Sequence, residues 1–299
     1  MNLSSCLWLL MLGTFSLAGA LASSGASVRV IIVGGSSGMG KGLAKVVLSR
    51  GGRVLLASRN ADKLARAREE CLAVIDASSN TDCAIRVQTA VLDATDEDAV
   101  QKFASELTAD WNGLVVSAAG KAPHGPVTDL DSGATRDMFE TKFWTAYHSI
   151  KHVAPRLEDG GSIALVAGVL NRRPGVNCAP LASVNGALEG LTRSAALDLA
   201  PRLRVNCLSP GFCDTERFDS MDRDRKEKMM ANTASSLPLQ RVGVPEDMGE
   251  GLYFLLTGSF VTGVVLDVDG GHHIRQYAMA STDPMRAKPA ASPVQLSSS

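Results

Sequence analysis

What most constrains this chain is a regular alternation of short apolar runs and helical stretches that begins at residue 28. The first run, VRVIIV (28–33), is unbroken and rich in β-branched residues, as a strand covered on both faces should be. A Gly-rich stretch and a helical pattern at 39–50 follow it. The beat then recurs: strand 53–57 and helix 61–77, strand 84–92 and helix 96–109, strand 113–119 and helix 134–156, strand 162–167 and helix 179–199, strand 203–208 and helix 245–257, and a last strand at 264–268. Strands joined through helices run parallel, and the helices cover both faces. The pattern predicts an α/β chain with a doubly wound, seven-stranded parallel sheet. No linker or composition break divides residues 28–276, so they read as a single domain.

The two ends read differently. Residues 6–22, CLWLLMLGTFSLAGALA, carry no charge and close on a small-x-small pattern at Ala20-Leu21-Ala22. Residues 1–22 are therefore expected to be a secretory signal, an organelle leader or an uncleaved membrane anchor, although no Lys or Arg precedes the apolar run. The localisation this implies is the secretory pathway or an organelle, and otherwise the cytoplasm. A membrane partner is expected only if the segment is an uncleaved anchor. Residues 281–299 are Pro, Ser and Ala without periodicity and read as a disordered tail.

Charge and cysteines exclude several classes. Thirty basic residues against thirty-one acidic ones leave no electrostatic footprint for nucleic acid. Removing Cys6 from the six cysteines leaves an odd number without close spacing, which is not a disulfide framework. No CxxC or HExxH occurs, and the adjacent His272 and His273 cannot easily share one ion, so no metal is expected.

Gly34-x-x-x-Gly38-x-Gly40 sits between the first strand and its helix. Without a Cβ the backbone can approach a pyrophosphate, and the free N–H groups of the helix that follows favour an anion. Placed there, and with GGSSGMG (34–40), LDATD (92–96), SAAG (117–120), GSIALVAG (161–168), RVNCLSPG (204–211) and the segment 241–271, the chain resembles the short-chain dehydrogenase/reductase family over residues 28–276. The resemblance implies a Rossmann-type fold. It also implies that Gly34, Gly38 and Gly40, with Ser36, Ser37 and Met39 of the same loop, hold a pyrophosphate. Asp93 and Ala94 would border the adenine, Ala118, Ala119 and Gly120 the adenosine ribose, and Pro210, Gly211 and Thr215 the nicotinamide amide. Ser58, Arg59 and Asn60 stand where an acidic residue would select NAD. A guanidinium flanked by a hydroxyl and an amide suits a 2′-phosphate, so NADP(H) is expected over NAD(H).

The catalytic positions depart from the family. Its chemistry uses a Tyr phenol, a Lys four residues later that lowers the phenol's pKa, a Ser and an Asn. Tyr147-His148-Ser149-Ile150-Lys151 has the Tyr–Lys spacing but precedes the fifth strand, whereas the family's Tyr follows it. In the register fixed by GSIALVAG and RVNCLSPG, the Tyr position is Leu181, the Lys position Asn185, the Ser position Gly168 and the Asn position Lys142. Asn185 can still hydrogen-bond a ribose. Lys142 either points to a helix surface or supplies the missing charge to a substrate or proton relay.

Also near the expected pocket are His124, Asn171, Arg172, Arg173, Asn177 and Cys178. The two arginines read either as carboxylate binders or as solvated side chains. Cys178 is not expected to be a nucleophile, since no base partner is evident. The mixed-charge segment 216–230 reads as a solvated helix or a lid. The expected function is an atypical NADP(H)-dependent oxidoreductase acting on a small carbonyl or alcohol. The alternatives are a nucleotide-binding pseudoenzyme, or non-redox chemistry in the same pocket. The resemblance further implies a homodimer or homotetramer.

Overall fold

The computed structural model describes residues 27–75, 83–108 and 110–274. The leader, the tail 281–299, Tyr277 and residues 76 and 77 lie outside the described residues, and the helix expected over 61–77 already ends at Leu72. The elements are β1 (Arg29–Val33), α1 (Gly38–Ser49), β2 (Arg53–Ser58), α2 (Ala61–Leu72), α3 (Cys83–Arg86), β3 (Val87–Val91), α4 (Glu97–Glu106), β4 (Gly113–Val116), α5 (Ser132–Phe139), α6 (Thr145–Val153), β5 (Ser162–Val166), α7 (Ala179–Leu199), β6 (Arg204–Pro210), α8 (Arg223–Ser236), α9 (Pro245–Thr257) and β7 (Val265–Val268). The strands form one parallel seven-stranded sheet in the order β3-β2-β1-β4-β5-β6-β7. The order reverses between β1 and β4, and a crevice opens there at the carboxyl ends of the strands.

The sheet's two faces carry separate cores. Ile31, Leu114, Ile163 and Val205 pack with Trp111 on one side. Val30, Ile32, Val115 and Ala164 pack with Leu43, Val47 and Leu252 of α1 and α9 on the other. The apolar runs of β1, β4 and β5 are continuous because successive residues feed opposite cores and both are dry.

The strand expected over 113–119 stops at Val116, and two further elements differ from the structure. The strand expected over 84–92 starts only at Val87, since Cys83–Arg86 forms a helical turn. The Arg86 guanidinium reaches back to the carbonyls of Gly52 (3.1 Å) and Leu48 (2.5 Å), and these long-range bonds outweigh the local β preference. The helix expected over 134–156 is continuous but is not α-helical throughout. It starts at Ser132, where the Asp131 carboxylate caps the Ala134 N–H at 2.8 Å. A π-helical turn, Glu140–Trp144, then joins α5 to α6, and the helix ends in a 3₁₀ turn at Ala154–Arg156. Among the described residues no helix is long and apolar enough to cross a membrane.

Candidate active site

The π turn sets the direction of Lys142. One residue more than an α-helical turn carries there turns its side chain inward, beneath the end of β5. Lys142 is 7% exposed, and its ammonium donates to the Ala167 carbonyl at 2.8 Å and to Asn185 Oδ1 at 2.6 Å. The surface-facing alternative is thereby corrected. Burial, with the Arg217 guanidinium adding to it, brings the Lys142 ammonium down to about 8. Two of its three N–H groups are used, which leaves one for a further acceptor.

Of the other three positions expected to be catalytic, Asn185 of α7 receives this ammonium, Gly168 lies against Asn185, and Leu181 sits one turn earlier on α7. Gly168 is buried, with φ at +156°, and a Cβ built there would stand 2.8 Å from Asn185 Nδ2. The serine position is thus closed by the carboxamide that receives Lys142. Leu181 is half-buried and packs on Ala122, Met138 and Val184 with Phe139 and Phe143, an apolar patch on the first turn of α7. Tyr147 and Lys151 lie elsewhere. Tyr147 is exposed among Phe143, Trp144 and His148 on the outer face of α6, and Lys151 pairs with Glu97 of α4 at 2.6 Å. The Lys151 ammonium and the His152 ring hold the Glu97 carboxyl down to about 2. Tyr253 lies under the Arg50 guanidinium at 4.2 Å, on the α9 side of the sheet.

The nucleotide positions converge at the switch point. Gly34 takes φ +90°, and a Cβ there would meet the Ala118 backbone nitrogen at 2.5 Å. A Cβ at Gly40 would meet the Gly34 carbonyl at 2.5 Å. Only glycine lets the loop fold this tightly against β4, which turns the N-terminus of α1 towards the crevice. A cleft of about 500 Å³ opens beside it, lined among others by Ser36, Ser37, Lys41, Lys63, Arg66 and Glu216. The Ser36 hydroxyl donates to Ser58 Oγ at 2.9 Å, which ties the glycine loop to the end of β2, and Arg59 is exposed beside it. Asn60 is turned differently from expectation: its Oδ1 caps α2 by accepting the Lys63 N–H at 2.8 Å. Asp93 accepts from the Thr95 N–H and hydroxyl, and Ala94 is buried. Ala118 and Gly120 are half-buried and Ala119 exposed on the loop after β4. Pro210 is buried, with Gly211 and Thr215 half-buried beyond β6, and Met39 lines the first turn of α1. This glycine cradle at a helix N-terminus, with cations in the adjoining cleft, fits a dinucleotide.

Other sequence candidates resolve into structural partners. Arg172 donates to Asp267 from both terminal guanidinium nitrogens and approaches Glu189 at 3.4 Å, so the carboxylates it binds here are the chain's own. Arg173 donates to the His273 carbonyl at 3.2 Å. Asn171, three residues after Gly168, leaves its Oδ1 buried without a partner. Asn177 takes φ +62° and its carbonyl accepts the Gly125 N–H, which joins the loops after β4 and β5. Cys178 Sγ lies 3.5 Å from His124 Nδ1, so the expectation of no base partner is corrected, although the two were far apart in the chain.

Asp267, Asp269 and His273 lie within 4.8 Å of one another, a grouping absent from the motif reading. Arg172 already takes Asp267, and the His273 ring sits 2.8 Å from Asp269. Glu216, the first residue of the segment read as a solvated helix or lid, and Lys41 meet at the glycine loop. The only sign of that contact in the sequence was an acidic residue directly after Thr215, and a lysine three residues into the helix that follows the glycine loop.

A family model described as enoyl-(acyl carrier protein) reductase matches residues 33–273. Cis-4-hydroxycyclohexanecarboxylate dehydrogenase of Sinomonas cyclohexanicum is 31% identical over 252 residues, covering 81% of this chain and 95% of that protein. Gluconate 5-dehydrogenase of Gluconobacter oxydans is 30% identical over 268 residues, with 86% and 96% covered. Among solved structures, a short-chain type dehydrogenase/reductase from Mycobacterium ulcerans superposes with a TM-score of 0.74 at 29% identity, over 83% of this chain and 90% of that one. A small-chain dehydrogenase in complex with NADPH gives 0.67 at 32% identity, over 82% and 98%.

Proposed function

Because the chain belongs to the short-chain dehydrogenase/reductase family, we propose that it is an oxidoreductase exchanging a hydride between NADP(H) and a small carbonyl or alcohol, with Lys142 as its proton carrier. One observation carries this reading. The lysine and asparagine of the family's pattern have changed places, yet the Lys142 ammonium meets Asn185 at 2.6 Å and a cation stays at the site.

When bound, NADPH supplies the hydride. Gly34, Gly38 and Gly40 with the α1 N-terminus would hold its pyrophosphate, and Ser58 with Arg59 its 2′-phosphate. Pro210, Gly211 and Thr215 would border the nicotinamide amide, and Asn185 a ribose hydroxyl. In the reducing direction the carbonyl carbon gains a hydride and its oxygen gains a proton. Lys142 gives that proton through its free N–H and takes another from solvent. The Ala167 carbonyl and Asn185 Oδ1 hold the ammonium in orientation. A group titrating near 8 suits proton transfer at neutral pH better than an ordinary lysine does. Leu181 and its apolar neighbours cover the place of the phenol and limit water there. Exposed Trp144 of the π turn, Tyr147 of α6 and Leu197 of α7 support assembly into a homodimer or homotetramer.

The test is a fluorescence titration with NADPH and NADH, followed by a turnover screen with small ketones and aldehydes. Binding of NADPH with slow carbonyl-dependent oxidation is expected. Failure to bind either nicotinamide would sink the proposal. Binding without any turnover would favour the second reading, a nucleotide-binding protein without catalysis, which the leucine at 181 supports.

A further inference from the structure

The N-terminus of α1 already holds an anion, and that anion belongs to the chain itself. Helix α1 has no acidic residue in its first turn, and Ser37 makes no capping hydrogen bond with its side chain. Instead Glu216, 178 residues away, accepts the Gly38 N–H with Oε2 at 2.7 Å. Its other oxygen, Oε1, pairs with the Lys41 ammonium at 2.7 Å. Lys41 is also paired with Glu70 at 2.7 Å. Burial works against charge on Glu216, but Lys41 and the Gly38 N–H outweigh it and hold the carboxyl below its usual range. Glu216 thus sits ionised on the donors that a helix N-terminus and a nearby ammonium offer to a phosphate.

The segment that carries it is lightly attached. Glu216–Phe218 is a single 3₁₀ turn with no buried residue, and α8 beyond it buries none either. Phe218 stacks on Phe212 with ring centroids 5.3 Å apart. Lys226 bridges Asp214 at 3.0 Å and Asp219 at 3.3 Å, which fastens α8 to the same turn. Release of Glu216 therefore breaks two charge-assisted contacts and disturbs neither core.

We propose that Glu216 is an internal competitor for the cofactor's pyrophosphate: in the free protein its carboxylate fills the cradle at Gly38 and Lys41, and it must leave before a dinucleotide can bind there. The proposal rests on the cofactor reading above for the identity of the ligand. A pyrophosphate brings more negative charge to the same donors, and two anions cannot share them at contact distance. The apparent affinity is lowered by the fraction of molecules in which the cradle is free. If the contact is closed nine-tenths of the time, removing it tightens binding by about tenfold.

The experiment is isothermal titration of the full-length protein with NADPH and, separately, with inorganic pyrophosphate, for wild type, Glu216→Gln and Glu70→Gln. Glu70 also neutralises Lys41 but does not touch Gly38, so it separates cradle occupancy from general charge. Glu216→Gln is expected to bind both probes about five- to tenfold more tightly, and Glu70→Gln less than about twofold. Glu216→Asp, which shortens the reach, should change both affinities in the same direction as Glu216→Gln. Equal or weaker binding of pyrophosphate by Glu216→Gln overturns the proposal, as does failure of every variant to bind pyrophosphate. If no variant binds NADPH while Glu216→Gln still binds pyrophosphate more tightly, the cofactor reading fails and the competition by Glu216 stands.

Discussion

Replacing Lys142 by Met removes a buried ammonium while keeping most of the side-chain volume, and its consequence for stability follows from proton linkage. In the folded protein Lys142 titrates near 8, against 10.5 for an ordinary lysine. Below pH 8 both states carry the proton, and the folded state bears the full cost of burying the charge. Between about 8 and 10.5 the folded lysine has lost its proton and the unfolded one has not, so the unfolded chain binds more protons and stability rises with pH. A drop of about 2.5 pH units corresponds to a gain of about 3 kcal/mol across that window.

Other groups act in the same range with the opposite sign. Burial pushes the thiols of Cys71 up to about 11 and those of Cys207 and Cys213 up to about 12. Their stabilisation is present below the unfolded thiol value and is lost as pH rises towards the folded one. The assay is therefore a difference: urea unfolding of wild type and Lys142→Met from pH 7 to pH 10.5. The thiols cancel, and so does the constant cost of leaving the Ala167 carbonyl and Asn185 Oδ1 without their donor, about 1–3 kcal/mol each. The wild type should gain about 3 kcal/mol relative to the variant between pH 8 and 10.5. Curves that stay parallel across the window would refute the buried, charged Lys142.

Further outcomes follow from single contacts. Arg59→Ala should weaken NADPH at least about tenfold more than NADH, since a guanidinium on a 2′-phosphate is a charge-assisted contact; equal losses would remove Arg59 from the cofactor site. Tyr147→Phe should leave turnover within about twofold, because Tyr147 faces outward on α6; a loss above about a hundredfold would restore it as the acid. Asn185→Asp puts a carboxylate beside the Lys142 ammonium, so the alkaline limb of the pH profile should move to higher pH, and an unmoved limb would deny their contact in solution. Arg172→Ala should lower stability by about 0.5–1 kcal/mol in chemical denaturation by unpairing Asp267, and an unchanged midpoint would make that pair a surface contact of no consequence.

The sheet was legible because its signal is local. Each central strand is buried on both faces, so its residues are apolar without alternation, and the glycine loop follows the first of them. The π turn at Glu140–Trp144 was not legible, because one additional residue leaves the helical pattern of the sequence intact while rotating everything beyond it. The identity of Lys142 at the Asn position could be read from the register, but its inward direction depends on that turn. Arg86 bends the approach to β3 through carbonyls on α1 and beside β2, which no window around residue 86 contains. Glu216 reaches Gly38 across 178 residues and Arg172 reaches Asp267 across 95, so both charges looked free in the sequence.

The central claim is that the ammonium of Lys142 carries the proton in this chain. Its most direct test is the pH dependence of carbonyl-dependent NADPH oxidation by wild type and Lys142→Met between pH 6 and 9.5. Wild-type turnover should fall as pH rises through about 8, where Lys142 loses its proton. The variant should bind NADPH as before, turn over about 10²–10⁴-fold more slowly and show no such limb. A variant that keeps the wild-type rate and the wild-type profile would contradict the account.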